Sequence, residues 1–243
     1  MTTLNTRNSW RAVAVSKIGA AHVLANMPCQ DASRCFARDN VLVACVADGA
    51  GSARYSDEGA RVAVDEFVAV SQDLLRSGDE LDSAEIVSQA FEAARLAVQD
   101  IAESHLKDYA TTLLGLVSRE DSFAAIQVGD GAVIVDGEVV VDSHEGEYAN
   151  ETKFITNPDV APSIFSDCIE IRRVAIVTDG LENLVLANNG YQRTPHGPFF
   201  ESMYEWLHRF DEPDRTAQLA EFLVSERVRS RTTDDVTLLL AMR

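Results

Sequence analysis

Aspartates recur where short apolar segments of the chain end. VLVACVADG ends at Asp48-Gly49, FAAIQVGDG at Asp130-Gly131 and RRVAIVTDG at Asp179-Gly180, while Asp234-Asp235 opens the last apolar segment, DDVTLLLAM. If these segments are neighbouring strands, the carboxylates converge on one edge of the core. Crowded carboxylates repel one another or take up protons. Bound cations remove that conflict, so the pattern predicts a cation site at this edge.

The residue types indicate which cation would bind. A set of oxygen ligands without a His or Cys cluster suits Mg²⁺ or Mn²⁺ and not zinc. The glycine after each aspartate allows a sharp turn that brings a backbone carbonyl near the ion. One Asp-Gly pair is more typical of a simple turn, and we interpret Asp136-Gly137 as a hairpin turn. The set of strand-end aspartates is the more specific signal.

The hydrophobic pattern predicts an α+β fold. Strands are predicted at 10–17, 41–47, 110–118, 122–129, 132–135, 138–142, 173–178 and 236–242, and helices at 57–76, 83–106, 199–209 and 214–229. Asp82 is a predicted N-cap, and Asp214 is predicted to cap the last helix. Hairpin-joined strands with segregated helices favour two antiparallel sheets packed as a sandwich, with helices outside.

Length and composition favour a single domain covering 1–243. The chain is 46% hydrophobic and has no internal repeat. We expect residues 1–8 to be a disordered tail, and the aperiodic stretch 144–170 to be a functional flap. No apolar run suits a membrane span or a secretory signal, and the cysteines show no zinc or disulfide spacing, so we expect a cytoplasmic protein without a membrane partner. The net charge of −18 disfavours binding to nucleic acid.

Several motifs in order give the chain a family resemblance. They are Gln30-Asp31-Ala32, Val46-Ala47-Asp48-Gly49-Ala50-Gly51-Ser52, Thr111-Thr112, Gly129-Asp130-Gly131, Thr178-Asp179-Gly180 and Asp234-Asp235-Val236-Thr237. Over nearly its whole length the chain resembles the metal-dependent protein phosphatase 2C family, and within it the compact bacterial branch. The resemblance implies two antiparallel sheets between antiparallel helices, in line with the pattern of strands and helices.

The resemblance also implies a metal-ligand set. Asp48 would bridge two Mg²⁺ or Mn²⁺ ions, and the Gly49 carbonyl would bind one of them. Asp179 and Asp234 would complete the shell of the first ion. Asp130 matches a position associated with a third, weaker metal site.

Two further positions are implied to act beside the metals. Asp31 would orient a metal-bound water without binding the metal directly, and Thr112 would form a hydrogen bond nearby. We list both as candidate catalytic residues.

The chain departs from the family pattern around this core. Gln30 stands where many members have Glu, and Ala50 where many have a His that acts as general acid. Asn26 replaces an arginine that often binds phosphate. Asn183 stands where an aspartate often supports the third metal.

His22 and Arg54 are candidates to fill these gaps. His22 lies shortly before Asp31 and is a candidate proton donor to the leaving group or a phosphate-binding residue. A packed or surface histidine is the alternative. Arg54, in the loop after Gly51, is a candidate for binding substrate phosphate, with a plain surface arginine as the alternative.

These observations predict a serine/threonine protein phosphatase. A metal-bridged hydroxide would attack phosphoserine or phosphothreonine in line. Its partners would be phosphoproteins, with a serine/threonine kinase or the targets of that kinase, in bacterial signalling. Two alternatives stay open: a hydrolase of small phosphoesters or nucleotides on the same metal centre, and an inactive phosphatase-like interaction module.

Overall fold

The computed structural model describes residues 9–78, 80–102, 105–141, 152–188 and 193–243. The strands are β1 Arg11–Lys17, β2 Asp31–Arg38, β3 Val41–Asp48, β4 Leu113–Arg119, β5 Ser122–Val128, β6 Ala132–Val135, β7 Glu138–Val141, β8 Ser163–Asp167, β9 Arg173–Val177, β10 Leu186–Asn188, β11 Arg193–Pro195 and β12 Val236–Met242. The helices are α1 Ala20–Ala25, α2 Ser56–Ser77, α3 Ser83–Ala102, α4 Asp179–Val185, α5 Gly197–Arg209, α6 Asp214–Leu223 and α7 Glu226–Arg229. The predicted tail 1–8 lies outside the described residues.

Two antiparallel five-stranded sheets form the centre of the fold. One has the strand order β1-β12-β9-β6-β7 and the other β2-β3-β4-β5-β8, while β10 and β11 form a separate ribbon. Strand β3 shows why its sequence is apolar without a break. Leu42, Ala44 and Val46 belong to the core between the sheets. Val43, Cys45 and Ala47 belong to the core beneath the helices. Because side chains alternate along a strand, both faces of β3 are buried.

Helices cover the outer face of each sheet. Phe67 of α2 and Phe91 of α3 are fully buried against the second sheet. Gly115 of β4 permits that packing, since a Cβ there would lie 2.4 Å from Phe67 Cζ. Phe200 of α5 and Leu219 of α6 cover the first sheet in the same way. The predicted sandwich of two antiparallel sheets flanked by helices is therefore confirmed.

Two local signals act as predicted. The Asp82 carboxylate accepts from the Glu85 N–H and the Glu85 carboxylate from the Asp82 N–H, both at 2.8 Å, which caps α3. Asp136 and Gly137 have φ of 48° and 90° and join β6 to β7. Positive φ at both central residues is the requirement of a type I′ hairpin turn.

The structure corrects three helix predictions. The helix predicted at 214–229 is two helices, α6 and α7, separated by Val224-Ser225. Asp214 is not its cap, because Pro213 occupies the N-cap position and Asp214 is the first helical residue. Helix α3 ends at Ala102, and a short 3₁₀ turn, Leu106–Tyr109, lies after it.

Several elements were missed by the periodicity. Strand β2, with the sequence DASRCFAR, alternates poorly because it carries two arginines and an aspartate, and the short helices α1 and α4 lack a full amphipathic pattern. The predicted flap 144–170 includes the edge strand β8, while its residues 144–151 lie outside the described ones. No helix in the described ranges has the length and apolar character to cross a membrane. All four cysteines are free.

Candidate metal centre

Strand pairing brings the aspartates to one edge of the sandwich. Asp31 and Asp48 are directly paired across β2 and β3. Asp179 follows β9, which pairs with β12, and Asp234 lies just before β12. Asp130 lies in the turn between β5 and β6, and β6 is the other neighbour of β9. Residues separated by up to about two hundred positions therefore meet, as their strand-end positions predict.

The backbone of Asp48 is fixed by two threonines. Its N–H donates to Thr112 Oγ1 and its carbonyl accepts from the Thr112 N–H, both at 2.8 Å. Thr111 Oγ1 donates to the same carbonyl at 3.0 Å. Gly49 follows, and a Cβ there would lie 2.6 Å from the Ser56 carbonyl oxygen. Thr112 therefore acts on the backbone of Asp48, and only glycine fits after it.

The carboxyl groups repel one another strongly. Burial, followed by the charges of Asp31 and Asp179, raises the pKa of Asp48 to about 11. Burial and the charge of Asp130 raise the pKa of Asp179 to about 6, against a hydrogen bond from Asp48 that lowers it. Without a bound cation, these effects favour the protonated form of Asp48, which hydrogen bonds to Asp179. A pair of this kind binds a cation in exchange for protons.

Asp31 is buried behind Asp48. Its Oδ2 accepts from Thr178 Oγ1 at 2.9 Å and from Thr237 Oγ1 at 2.7 Å. Burial raises its pKa to about 7, although the two threonine hydroxyls oppose the shift. Its Oδ1 is buried and has no hydrogen-bond partner among the described residues. That oxygen suits a water or another polar group at the centre.

Two glycines and a buried glutamine shape the turn that carries Asp130. Gly129 and Gly131 on either side have φ of 91° and 101°, which side chains with a Cβ rarely adopt. The buried Gln127 Nε2 donates to the Gly129 carbonyl at 2.9 Å. Asp130 Oδ2 accepts from Thr152 Oγ1 at 3.0 Å, so one of its oxygens is already hydrogen bonded.

Asp234 lies at the exposed side of the centre. Its N–H donates to Thr232 Oγ1 at 3.2 Å, and its Oδ1 accepts from the Asp235 N–H at 2.9 Å. It raises the pKa of Asp179 by its charge, which places the two carboxylates near each other. Both line a cavity of about 160 Å³ that Asn183 also lines.

The donor set fits hard divalent cations. The carboxylates carry oxygen ligands only, and two buried side-chain oxygens, Asp31 Oδ1 and Gln30 Oε1, have no partner among the described residues. Among the described residues, no three His, Cys, Asp or Glu side chains lie close enough together to hold one ion. The repulsion that raises the pKa values opposes such convergence. Divalent cations neutralise it, so the residues fit Mg²⁺ or Mn²⁺.

His22 is held beside the centre by a residue that sequence reasoning overlooked. Its Nδ1 lies 2.9 Å from Asp235 Oδ2, although the angle is poor for a hydrogen bond. Asp235 is buried and also accepts from the N–H groups of Gly19 at 2.7 Å and Gln30 at 2.6 Å. The doubled Asp234-Asp235 was the available signal, although the sequence does not show which of the two is buried.

Arg54 and Gln30 contact residues at the start of α2. The Arg54 guanidinium stacks 5.0 Å from the centroid of the Tyr55 ring, and no described contact joins it to the aspartates. Gln30 is buried, and its Nε2 donates to Ser56 Oγ at 2.7 Å. Gln30 therefore ties the start of β2 to the start of α2.

Arg193 is a second residue that sequence reasoning missed. Its buried guanidinium pairs with Glu182 of α4 and donates to the Gly131 carbonyl at 2.9 Å. It thereby joins the helix that begins at Asp179 to the turn that carries Asp130. No motif in the sequence marks Arg193, because its partners lie in other segments of the chain.

The chain is similar to known protein phosphatases. Residues 18–224 match the family model described as Protein phosphatase 2C. The chain is 35% identical to serine/threonine-protein phosphatase 3 of Escherichia coli (strain K12) over 96% of this chain and 98% of that protein.

Solved structures share the fold. The catalytic domain of the serine threonine protein phosphatase PstP, solved with two manganese ions, has a TM-score of 0.63 at 19% identity, over 96% of this chain and 98% of that one. The Mycobacterium tuberculosis phosphatase PstP/Ppp gives the same values. RsbX in complex with magnesium has a TM-score of 0.52 at 17% identity, over 97% of this chain and 96% of that one.

Proposed function

The chain belongs to the protein phosphatase 2C family, and from that premise we propose how its residues carry out metal-dependent serine/threonine phosphatase chemistry. It is a phosphoprotein phosphatase that depends on divalent metal. The observation that carries the proposal is the clustering of Asp31, Asp48 and Asp179, whose pKa values are all raised, first by burial and then by neighbouring carboxylates. Such a cluster does not stabilise the folded state by itself, but it is suited to binding cations.

We assign the metal ligands as follows. Asp48 would contribute to both of two sites for Mg²⁺ or Mn²⁺, and the Gly49 carbonyl would contribute to one of them. Asp179 and Asp234, whose charges interact across the small cavity, complete the shell of the first ion. Asp130 supports a third, weaker ion, since its charge acts on both Asp48 and Asp179.

Asp31 and Thr112 act beside the metal ligands, on the attacking water and on Asp48. When bound, two divalent ions supply a strong nucleophile from water at neutral pH and neutralise phosphoryl charge. Asp31 orients the attacking water through Oδ1, because its Oδ2 is already occupied by two threonine hydroxyls. Thr112 keeps Asp48 in place through the backbone.

His22 is the proposed proton donor to the leaving group. Nδ1 of the ring lies 2.9 Å from Asp235 Oδ2, and we propose Nε2 as the nitrogen that donates to the substrate. Arg54 stays a candidate for substrate binding, from the exposed loop after Gly51. The substrates are phosphoproteins, and we propose that they are the targets of a serine/threonine kinase or that kinase itself. The E. coli relative is named as a serine/threonine-protein phosphatase, which supports this choice.

The test is hydrolysis of a phosphothreonine peptide and of an aryl phosphate by chelator-treated protein, before and after Mn²⁺ or Mg²⁺ is added back. We expect turnover of both substrates only with metal. Undiminished turnover in protein shown by elemental analysis to be free of metal would refute the mechanism. Hydrolysis of the aryl phosphate and nucleotides but not of the peptide would favour the small-phosphoester alternative.

A further inference from the structure

We propose that Arg231 is the cationic residue that binds the phosphoryl group of the substrate. The inference rests on the proposed function, because it places the phosphoryl group beside the metal ligands Asp179 and Asp234. It assigns to Arg231 the phosphate-binding role for which His22 and Arg54 are the candidates from the sequence.

Arg231 borders the cavity at the metal centre. The cavity of about 160 Å³ is lined by Asp179, Gly180, Asn183, Leu184, Arg231, Thr232 and Asp234. A single buried water needs only about 10–15 Å³, so there is space for a larger anionic group. The lining residues include two of the proposed metal ligands, one asparagine and one arginine.

The backbone holds Arg231 in this position. Its N–H donates to the Val228 carbonyl at 2.8 Å, and the Thr232 N–H donates to the same carbonyl at 3.3 Å. Thr232 Oγ1 then accepts from the Asp234 N–H at 3.2 Å. Arg231 is thus joined to Asp234 by a turn of fixed geometry rather than by a loose loop.

The charge of Arg231 is available to a ligand. Many of the described arginines on this acidic chain lie within 4.0 Å of a carboxylate, such as Arg34 with Asp65 at 3.1 Å and Arg209 with Glu205 at 3.7 Å. Among the described residues, the Arg231 side chain has no ion pair or hydrogen bond, although two carboxylates line the same cavity. Once metal ions neutralise those carboxylates, the cavity that Arg231 lines favours an anion. Guanidinium groups bind phosphoryl oxygens in this paired fashion.

The experiment compares Arg231→Ala and Arg231→Lys with Arg229→Ala in Mn²⁺-loaded protein. Arg229 is an exposed arginine two residues earlier in α7 that does not line the cavity, so it is a matched control for lost charge. We expect Arg231→Ala to raise KM about tenfold or more for both an aryl phosphate and a phosphothreonine peptide, as for a lost hydrogen bond to a charged group. Arg231→Lys should recover part of the loss, and Arg229→Ala should stay near wild type.

Binding of inorganic phosphate gives a readout that needs no turnover. The increase in Tm that phosphate causes in Mn²⁺-loaded protein should shrink in Arg231→Ala and persist in Arg229→Ala. Unchanged KM and phosphate binding, with tighter Mn²⁺ binding, would show that Arg231 is only a counterion of the aspartates and would overturn the proposal. A loss confined to the peptide would overturn it as well, because it would place Arg231 against the peptide chain. Failure of the proposed function would appear differently, as a wild-type protein without metal-dependent turnover.

Discussion

At the level of single residues, Asp48 has a more strongly raised pKa than Asp31 or Asp179. It is surrounded by Asp31, Asp130 and Asp179, and burial adds to their repulsion. A carboxyl kept protonated in this way binds a cation only by releasing its proton, so metal affinity should rise with pH. The same residue has the most firmly held backbone of the cluster, through Thr111 and Thr112.

Asp48→Asn should remove most of the stabilisation by Mn²⁺. Binding to the native state alone adds about 2.7 kcal/mol to the free energy of unfolding when the ligand is at a hundred times its dissociation constant. We expect that shift in the wild type and in Asp73→Asn, a control in an exposed position of α2. Thermal unfolding with increasing Mn²⁺ measures it, and identical responses from Asp48→Asn and wild type would show that the bridging ligand is misassigned.

His22→Ala should affect substrates according to their leaving groups. A phosphothreonine alkoxide needs a proton as it departs, so removal of the acid should slow peptide hydrolysis by about 10²-fold. An aryl phosphate with a good leaving group should be affected much less. Steady-state kinetics on both substrates provide the measurement, with exposed His208→Ala as the control. Equal kinetics for mutant and wild type would exclude His22 from the chemistry, while a lower Tm alone would indicate a packing role beside Asp235.

At the scale of elements, close packing of α4 on β12 places Asp179. The helix begins at this aspartate. Gly180 lies against Asp235, the residue before β12. A Cβ at position 180 would come within 1.9 Å of the Asp235 carbonyl oxygen. The absence of a side chain at Gly180 thus sets the distance between Asp179 and the Asp234-Asp235 segment.

Gly180→Ala should therefore separate the two segments. We expect a loss of about 1–3 kcal/mol in stability, as for other overpacked sites, together with weaker Mn²⁺ binding. Gly197→Ala is the control, because a Cβ there meets nothing within 4 Å at the start of α5. Chemical denaturation and metal titration measure the two effects. Normal metal affinity in Gly180→Ala would mean that α4 does not set the position of Asp179.

At the scale of the whole molecule, the buried carboxyls couple stability to pH. The folded state raises the pKa of Asp31 to about 7, of Asp179 to about 6 and of Asp48 to about 11, from a usual value of 3.8. Above 3.8 the folded state therefore holds protons that the unfolded state has released. Under linkage, the free energy of unfolding then falls as pH rises.

Metal-free protein should accordingly lose stability from about pH 5 to about pH 8, by up to about 1.4 kcal/mol per pH unit for each group that keeps its proton. Asp48→Asn should show a shallower decline, because it removes a group whose raised pKa spans the whole interval. Saturating Mn²⁺ should flatten or reverse the trend. Urea unfolding of chelator-treated protein across this range is the measurement, and a stability that rises with pH in the metal-free wild type would contradict the cluster.

The family motifs predicted most of the candidate centre, because strand-end positions are a local property. The apolar runs before Asp48, Asp130 and Asp179 are read directly from the sequence, and sheet pairing brings their ends together as expected. Arg193 and Arg231 were not predictable in this way. Arg193 contacts segments far away in the chain, Arg231 lines a cavity together with the distant Asp179, and neither belongs to a periodic pattern.

The sandwich of sheets and helices and the aspartates at its edge follow from the sequence, because alternation and periodicity act over a few residues. Only the tertiary structure decided between Asp234 and Asp235. It turns Asp234 to the cavity, and it buries Asp235 beneath His22 and the backbone of Gly19. Both residues precede β12, so strand alternation does not assign their directions, and only packing fixes which of the two is buried.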